Sequence, residues 1–225
     1  MSLDTIERRL AEGTAAWLLF EFHCKRGDLF SEKQLATPVG QILAGQYPGR
    51  VKAEITHPYL MPIRQRGRPP QLDFVVLDGG IWEAAVETKW ISNTPLTLGQ
   101  IIWDLIRLEL LIKHQVCDAY FIIGGFNKKI KEVLGETHLF DIDLKGQQYI
   151  THVKGQNVKL DLKKLNTATK DYINTKLSKY PGITIPKILY LKKPQMAPKD
   201  SINLTFKIIA CQVLSPKSIQ RLNKI

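Results

Sequence analysis

Hydrophobic and polar positions along the chain repeat with two different periods, which separate the predicted helices from the predicted strands. Apolar residues recur at helical spacing over residues 4–24 and again over 31–43, where Pro38 is expected to kink or split the helix. A longer apolar stripe predicts a third amphipathic helix that ends near His114. Residues 118–123 then form a short apolar run typical of a buried strand.

Two β-rich segments, residues 72–77 and 81–90, flank the triplet Asp78-Gly79-Gly80. Glycine readily adopts the positive φ angles that a tight hairpin turn requires, so the pattern predicts an antiparallel hairpin. A further strand is predicted at residues 51–55, before the hairpin. Beyond residue 125 we expect helices near 128–134 and 167–179, and strands at 148–153, 158–162, 185–191 and 204–214.

This order of elements predicts an α/β protein with a central mixed β-sheet flanked by helices. We expect residues 1–135 to form the core with its N-terminal helices. Residues 136–225 are expected to form a basic α+β extension that packs on this core.

The charge of the chain is concentrated in its second half. The whole sequence has a formal net charge of +11 and a pI near 9.5. Residues 1–125 hold 13 basic and 14 acidic side chains, whereas residues 126–225 hold 19 basic and 7 acidic ones. Such an excess favours a polyanionic partner, nucleic acid or an acidic membrane surface, although a solvated lysine-rich face has the same composition.

The cysteines indicate a reducing compartment. Cys24, Cys117 and Cys211 are far apart and show neither a disulfide framework nor zinc-ligand spacing. The N-terminal residues lack the basic start and apolar run of a secretory signal, and no apolar run is long enough to span a membrane. We therefore expect a cytoplasmic protein with no membrane partner.

Strand alternation and hairpin pairing bring three charged residues together. Along residues 81–90, Glu87 and Lys89 fall on the same face of the strand. A turn of two or three residues pairs Asp73 with residue 86 or 87, which places its carboxylate beside Glu87.

Two adjacent carboxylates repel each other unless a proton or a divalent cation lies between them, and carboxylate oxygens with water suit Mg²⁺. We therefore expect Asp73 and Glu87 to bind the metal, with the backbone carbonyl of Thr88 as a further ligand. Lys89 beside such a metal would stabilise a hydroxide nucleophile and the negative charge that develops on a phosphodiester.

The run Pro70-Gln71-Leu72-Asp73, followed after thirteen residues by Glu87-Thr88-Lys89, resembles the motif of the PD-(D/E)XK nuclease superfamily. The resemblance covers roughly residues 50–125, and Leu72 stands where the name of the family has proline. It implies a restriction-endonuclease-like fold, Asp73 and Glu87 as metal ligands and Lys89 as the catalytic lysine. The implied cofactor is Mg²⁺, for which Mn²⁺ can substitute.

Members of this superfamily often add a carboxylate from the first helix or the first strand. The resemblance therefore implies Glu21 or Glu54 as a further catalytic residue, and the sequence does not choose between them.

Further polar residues extend the predicted site. On the third helix, Gln100, Asp104 and Arg107 form one polar line, which either supports the site and contacts nucleic acid or is a surface ion pair. The loop residues Arg64, Arg66 and Arg68 either contact phosphate or belong to a solvated loop.

The sequence thus favours a Mg²⁺-dependent endodeoxyribonuclease that acts on double-stranded DNA, and a homodimer is expected because such enzymes cut two strands. One alternative is a catalytically inactive nucleic-acid-binding protein that retains the nuclease fold. Another is an assembly subunit whose basic part docks on an acidic protein.

Overall fold

The computed structural model describes residues 5–60, 69–91, 98–115, 117–134, 150–153, 157–192, 194–197 and 206–215. The helices in these ranges are α1 (Ile6–His23), α2 (Glu32–Gln46), α3 (Leu98–His114), α4 (Asn127–Leu134) and α5 (Thr167–Leu177). The strands are β1 (Val51–Thr56), β2 (Gln71–Asp78), β3 (Ile81–Ile91), β4 (Asp118–Phe126), β5 (Ile150–Val153), β6 (Asn157–Asp161), β7 (Ile188–Lys192), β8 (Gln195–Ala197) and β9 (Phe206–Leu214). None of the helices described is both long enough and apolar enough to cross a membrane.

One mixed sheet contains all of these strands. Eight of them follow the order β1-β2-β3-β4-β9-β7-β6-β5, and β8 pairs with residues 208–210 of β9. β3 and β4 run parallel through the crossover helix α3, while the other described pairings are antiparallel. The predicted α/β class with a central mixed sheet flanked by helices is confirmed.

The C-terminal strand β9 lies between β4 and β7 and joins the two halves of the sheet. The sheet is therefore continuous across position 135, where the sequence suggested that the basic extension begins.

The sheet separates two hydrophobic cores, and strand residues alternate between them. The α3-side core contains Ala85 of β3 and Phe121 of β4, packed with residues of α3 and with Ile173 of α5. The α1-side core contains Val86 and Ile122 from the same strands, packed with α1 and α2. Because both faces are covered, the central strands are apolar on both sides.

Local signals account for the start of α2 and for the β2–β3 turn. The Ser31 hydroxyl caps α2 by accepting a hydrogen bond from the Gln34 backbone N–H at 3.3 Å. The β2–β3 hairpin turns through Gly79 and Gly80, whose φ angles of +55° and +88° are those of a type I′ turn. The expected split of α2 at Pro38 does not occur, because the helix continues to Gln46 with Pro38 buried within it.

Candidate active site

The candidate site lies where β2 and β3 separate. Backbone pairing between the two strands ends at Phe74 and Val86. Beyond this point β2 remains paired with β1, and β3 remains paired with β4 as far as Ile91. The strands thus form a fork, and polar side chains enter it from both strands and from α3.

A backbone irregularity shapes the β2 side of the fork. Glu54 of β1 has a φ of +55°, in the left-handed region that non-glycine residues rarely adopt. Its carbonyl oxygen accepts a hydrogen bond from Gln71 Nε2 at 2.7 Å. The irregularity falls opposite Asp73, between the paired residues Phe74 and Leu72, which pack in different cores. Simple strand alternation therefore does not hold at Asp73.

Asp73 links the two strands of the fork through its side chain. Its Oδ2 accepts hydrogen bonds from the Thr88 backbone N–H at 2.6 Å and from the Thr88 hydroxyl at 2.7 Å. The next step of the β2–β3 register places Asp73 across from Glu87, and the two carboxylates repel each other electrostatically. The structure thus brings Asp73, Glu87 and Thr88 together, with Thr88 acting as the hydrogen-bond donor to Asp73.

Arg107 of α3 fills the space between the strands. Its guanidinium donates a hydrogen bond to the Gln71 carbonyl oxygen on β2. Nη2 lies 2.7 Å from Glu87 Oε1 on β3, and Nη1 lies 3.1 Å from Asp104 Oδ1. One cation therefore holds α3 against both strands of the fork.

Glu87 is 4% exposed and is the most deeply buried carboxylate at the fork. Burial raises the pKa of Glu87 well above its ordinary value, and the negative charges of Asp104 and Asp73 raise it further. Arg107 and Lys89 offset part of this shift. Although Glu87 Oε1 is close to Arg107, it has no hydrogen-bond partner, so the two groups interact as charges without an aligned hydrogen bond.

Lys89 extends between two carboxylates on different helices. Its Nζ lies 3.3 Å from Asp104 Oδ2 on α3 and 3.3 Å from Glu32 Oε2 at the start of α2. Burial lowers the pKa of Lys89, but Asp104 and Glu32 outweigh burial and raise the pKa above its ordinary value. Lys89 is therefore a cation at neutral pH.

Glu32 itself is influenced by the same cluster. Partial desolvation raises its pKa, Lys89 lowers it, and the nearby charges of Asp73 and Asp104 raise it. All six charged groups thus interact, and we call them the fork cluster: Glu32, Asp73, Glu87, Lys89, Asp104 and Arg107.

His57 fixes the backbone of the arginine that enters the fork. Its Nδ1 accepts a hydrogen bond from the Tyr59 backbone N–H at 3.2 Å, so the proton of the neutral ring lies on Nε2. Nε2 then donates to the Arg107 carbonyl oxygen at 2.9 Å. The ring is fully buried, and desolvation lowers the pKa of His57 to about 4. His57 is therefore neutral and connects the end of β1 to α3.

The donor set at the fork fits a divalent cation. Four carboxylates against two cations leave the fork cluster with a formal charge of −2 when every group is ionised. A buried carboxylate oxygen without a hydrogen-bond partner, Glu87 Oε1, lies at its centre. Within the described ranges no group of three or more His, Cys, Asp or Glu side chains is arranged to hold a metal. Mg²⁺ is commonly held by only one or two protein carboxylates, with waters and substrate oxygens as its other ligands, so Asp73 and Glu87 are the residues that would hold such an ion.

Of the two carboxylates proposed as additions to the site, Glu54 lies closer to the fork. It is exposed on β1 at the irregularity opposite Asp73. Glu21, at the end of α1, forms a bidentate ion pair with Arg26, with Arg26 Nη2 2.8 Å from Glu21 Oε1. Among the described residues, Glu21 is therefore paired with Arg26 and not with a residue of the fork.

The predicted nucleic-acid contacts are only partly described. Gln100 is half-buried in the first turn of α3, one turn before Asp104. Arg64, Arg66 and Arg68 lie outside the described residues.

The sequence left two interpretations of Asp104 and Arg107 open, and it gave no indication that Glu32 belongs to the site. Asp104 and Arg107 belong to the site and do not form a surface ion pair, since their side chains are 8% and 11% exposed. Glu32 was missed because a glutamate in the first turn of a helix is also common for helix-dipole reasons. The sequence shows no ligand spacing around His57, and the structure gives this histidine a structural role: it is buried and bonded to the Arg107 carbonyl oxygen.

No protein-family model matches this chain, and comparisons with curated proteins and with solved structures give no match either. The interpretation of the fork cluster therefore depends on its own residues and geometry.

Proposed function

We propose that this chain is a Mg²⁺-dependent endonuclease that hydrolyses phosphodiester bonds in double-stranded DNA, on a fold of the restriction-endonuclease type. The observation that supports this proposal most is the meeting of Asp73, Glu87 and Lys89 at one fork between β2 and β3. The motif that resembles the PD-(D/E)XK superfamily thus falls on neighbouring strands at one place in the sheet.

Asp73 and Glu87 would hold the metal ion, and Mn²⁺ would be accepted by the same carboxylates. When bound, the ion polarises a phosphate oxygen and lowers the pKa of a bound water. The Thr88 N–H and hydroxyl orient Asp73, while Arg107 orients Glu87.

Lys89 acts in this proposal as a fixed positive charge. Because its pKa is raised, Lys89 donates hydrogen bonds and does not remove a proton from water. Its ammonium stabilises the negative charge that grows on the phosphate during attack. Asp104 and Glu32 hold the ammonium in place from opposite sides.

The basic half of the chain would bind the DNA backbone. The described range 157–192 contains eight lysines and two aspartates, with no arginine or glutamate. Such a surface neutralises phosphates without reading the base sequence. Arg64, Arg66, Arg68 and Gln100 are proposed as further contacts near the fork. An enzyme of this type commonly cuts both strands as a two-fold dimer, so a homodimer is part of the proposal.

One observation favours the alternative of a catalytically inactive nucleic-acid-binding protein with the same fold. Lys89 is paired with Asp104 and Glu32, and Glu87 is paired with Arg107, so the charges of the motif already have partners within the chain. Such a network also serves to fix the packing of α2 and α3 on the sheet.

Cleavage of supercoiled plasmid DNA in Mg²⁺, Mn²⁺ or EDTA separates the two proposals. The matched variant is Asp73→Asn, whose amide oxygen still accepts from Thr88 while the negative charge is lost. We expect metal-dependent nicking by the wild-type protein and none by Asp73→Asn.

DNA binding measured by gel shift provides the second readout. If the wild-type protein binds DNA but does not cleave it with either metal, and calorimetry detects no Mg²⁺ binding, the nuclease proposal is rejected in favour of the binding protein. Equal cleavage by Asp73→Asn would reject the assignment of the site.

A further inference from the structure

A second concave site lies outside the fork cluster, in the basic half of the chain. It is a cavity of about 260 Å³ between the 3₁₀ turn Leu162–Lys164, helix α5 and the segment before β7. Its apolar walls are aliphatic: Leu162, Leu165, Ile173, Ile185 and Pro186.

Three lysines surround these aliphatic walls, namely Lys163, Lys170 and Lys187. Among the described residues no carboxylate forms an ion pair with any of them, in contrast to Lys89 in the fork cluster. A cavity with apolar walls and unpaired cations at its edge is complementary to an anionic group attached to an apolar body.

The size and the walls of the cavity restrict its occupant. Sites for drug-sized molecules are usually about 300–1,000 Å³, so this cavity is matched better to one large apolar side chain. Its lining contains no aromatic side chain on which a nucleic-acid base could stack. The chemistry therefore favours a peptide over a single-stranded nucleic acid.

We propose that this cavity is a docking site for an acidic segment of a second protein, which inserts one large apolar side chain between α5 and the segment before β7. Aspartate or glutamate residues that flank this apolar side chain, the anchor, form ion pairs with Lys163, Lys170 and Lys187. Interfaces commonly use this combination of one buried anchor and a charged surround. The proposal does not depend on nuclease activity, and it assigns Lys163, Lys170 and Lys187 to the protein partner, which leaves the other lysines of residues 157–192 for DNA.

The site is connected to the sheet through α3. A side chain at Gly99 of α3 would collide with Tyr172 of α5, since a Cβ atom there would lie 2.8–2.9 Å from the tyrosine. Trp103 of α3 also stacks on Tyr180, with ring centroids 6.0 Å apart. Helix α5, which forms one wall of the cavity, is therefore packed closely against α3.

The test measures the anisotropy of a labelled peptide in which acidic residues flank one central phenylalanine, using the full chain at physiological salt. A matched peptide carries serine at the centre. Burying a phenylalanine side chain contributes enough for about tenfold tighter binding, and we expect at least that preference for the phenylalanine peptide.

Two double variants separate the cavity from the net charge. Lys163→Glu with Lys187→Glu removes cations that line the cavity, whereas Lys164→Glu with Lys179→Glu makes the same charge change at exposed lysines outside its lining. We expect about a tenfold loss of affinity for the first pair and less than about threefold for the second. Thermal unfolding verifies that both variants fold.

Filling the cavity is an independent variant. Asn174 is exposed on α5 and lines the cavity, while the neighbouring Thr175 is exposed and does not. Asn174→Phe is expected to abolish the preference for the phenylalanine peptide, and Thr175→Phe is expected to preserve it.

Several outcomes overturn the proposal. Equal binding of the serine peptide, equal losses in the two lysine pairs, or no binding at millimolar peptide would each exclude an anchored acidic partner. Loss of single-stranded oligonucleotide binding in the cavity variants, without loss of peptide binding, would assign the cavity to nucleic acid.

Within this chain, residues 140–144 alternate apolar and acidic side chains. The peptide measurement is therefore repeated on the variant Asp141→Lys with Asp143→Lys. Binding that appears only in this variant would assign the cavity to the chain itself and overturn the proposal of a second protein.

Discussion

The fork cluster and the lysine-rich region of residues 157–192 use charge in opposite ways. In the fork cluster both cations, Lys89 and Arg107, are largely buried and lie within 3.5 Å of carboxylate oxygens. In the lysine-rich region Lys163 and Lys187 are exposed and form no described ion pair. A buried charge needs a partner because desolvation is costly, whereas an exposed lysine remains hydrated.

The paired charges of the fork cluster hold the structure in place, whereas the unpaired charges of the lysine-rich region are available to bind a partner. The fork cluster fixes the positions of α2, α3 and two strands relative to one another, so its geometry is preorganised before any ligand arrives. In the lysine-rich region, exposed lysines such as Lys163 and Lys187 can pair with an acidic partner. The predictions below test this difference, from the largest expected effect to the smallest.

The largest effect is expected from Lys89→Met. For the proposed nuclease, removing the ammonium is expected to reduce DNA cleavage about a thousandfold, because Lys89 would then no longer stabilise the charge that develops on the phosphate. The fold should persist, since Asp104 keeps its contact with Arg107 and Glu32 is exposed. Cleavage rates of this variant are compared with those of Lys33→Met, an exposed lysine beside Glu32 that should change nothing. A similar loss in both variants would contradict the role of Lys89.

Arg107→Met is expected to give the largest loss of folding stability. It removes the ion-pair partner of Glu87 and one partner of Asp104, at a cost of about 3 kcal/mol in the free energy of unfolding. Arg8→Met, which removes an exposed pair with Glu12, should cost less than about 1 kcal/mol.

Urea denaturation measures both costs. Adding Glu87→Gln to Arg107→Met should restore part of the loss, because the uncompensated carboxylate is then gone. If the double variant loses the sum of the two single losses, Glu87 and Arg107 are not coupled.

The next effect concerns pH and His57. The unfolded chain has an ordinary histidine with a pKa near 6.5, while the pKa of buried His57 is lowered to about 4. The unfolded state therefore takes up the proton first, so stability is complete above about pH 6.5 and falls as pH drops toward 4. Between pH 7 and pH 5 this linkage costs about 2 kcal/mol.

Urea denaturation at both pH values is compared with that of His57→Gln, which should lack this part of the pH dependence. The raised pKa of Glu87 acts in the opposite direction, because its protonation as pH falls relieves an unfavourable buried charge. Glu87 is present in both proteins and cancels in the difference. An unchanged pH dependence in His57→Gln would show that His57 does not supply it.

The smallest effect on stability is expected in the lysine-rich region. Lys164→Gln with Lys179→Gln should change the free energy of unfolding by less than about 0.5 kcal/mol, since both side chains are exposed. Log affinity for double-stranded DNA decreases with log salt, and the steepness of this decrease should be reduced by about 0.9 for each removed lysine that contacts phosphate. An unchanged slope would place the DNA contacts elsewhere, and the variant Lys33→Gln in α2 serves as the control.

Local features of the sequence determined most of the elements on which the site is built. Ser31 and the glycines of the hairpin turn specify their conformations through neighbouring backbone atoms, so the start of α2 and the β2–β3 hairpin are predictable. The same locality predicts that Glu87 and Lys89 share a strand face, and that Asp104 and Arg107 share a helix face.

The contacts within the fork cluster were decided only by the tertiary structure. Glu32 meets Lys89 across 57 positions of sequence, and His57 meets the Arg107 carbonyl across 50. Asp73 turns to Thr88 because β1 and β2 are irregular at Glu54 and Asp73, which no residue pattern indicates.

These contacts depend on which groups are buried together, because a charge finds its partner only when packing removes water from both. Short-range sterics are set by a few neighbouring residues and can be read along the chain. The balance between desolvation and pairing depends on the whole sheet with its two layers of helices.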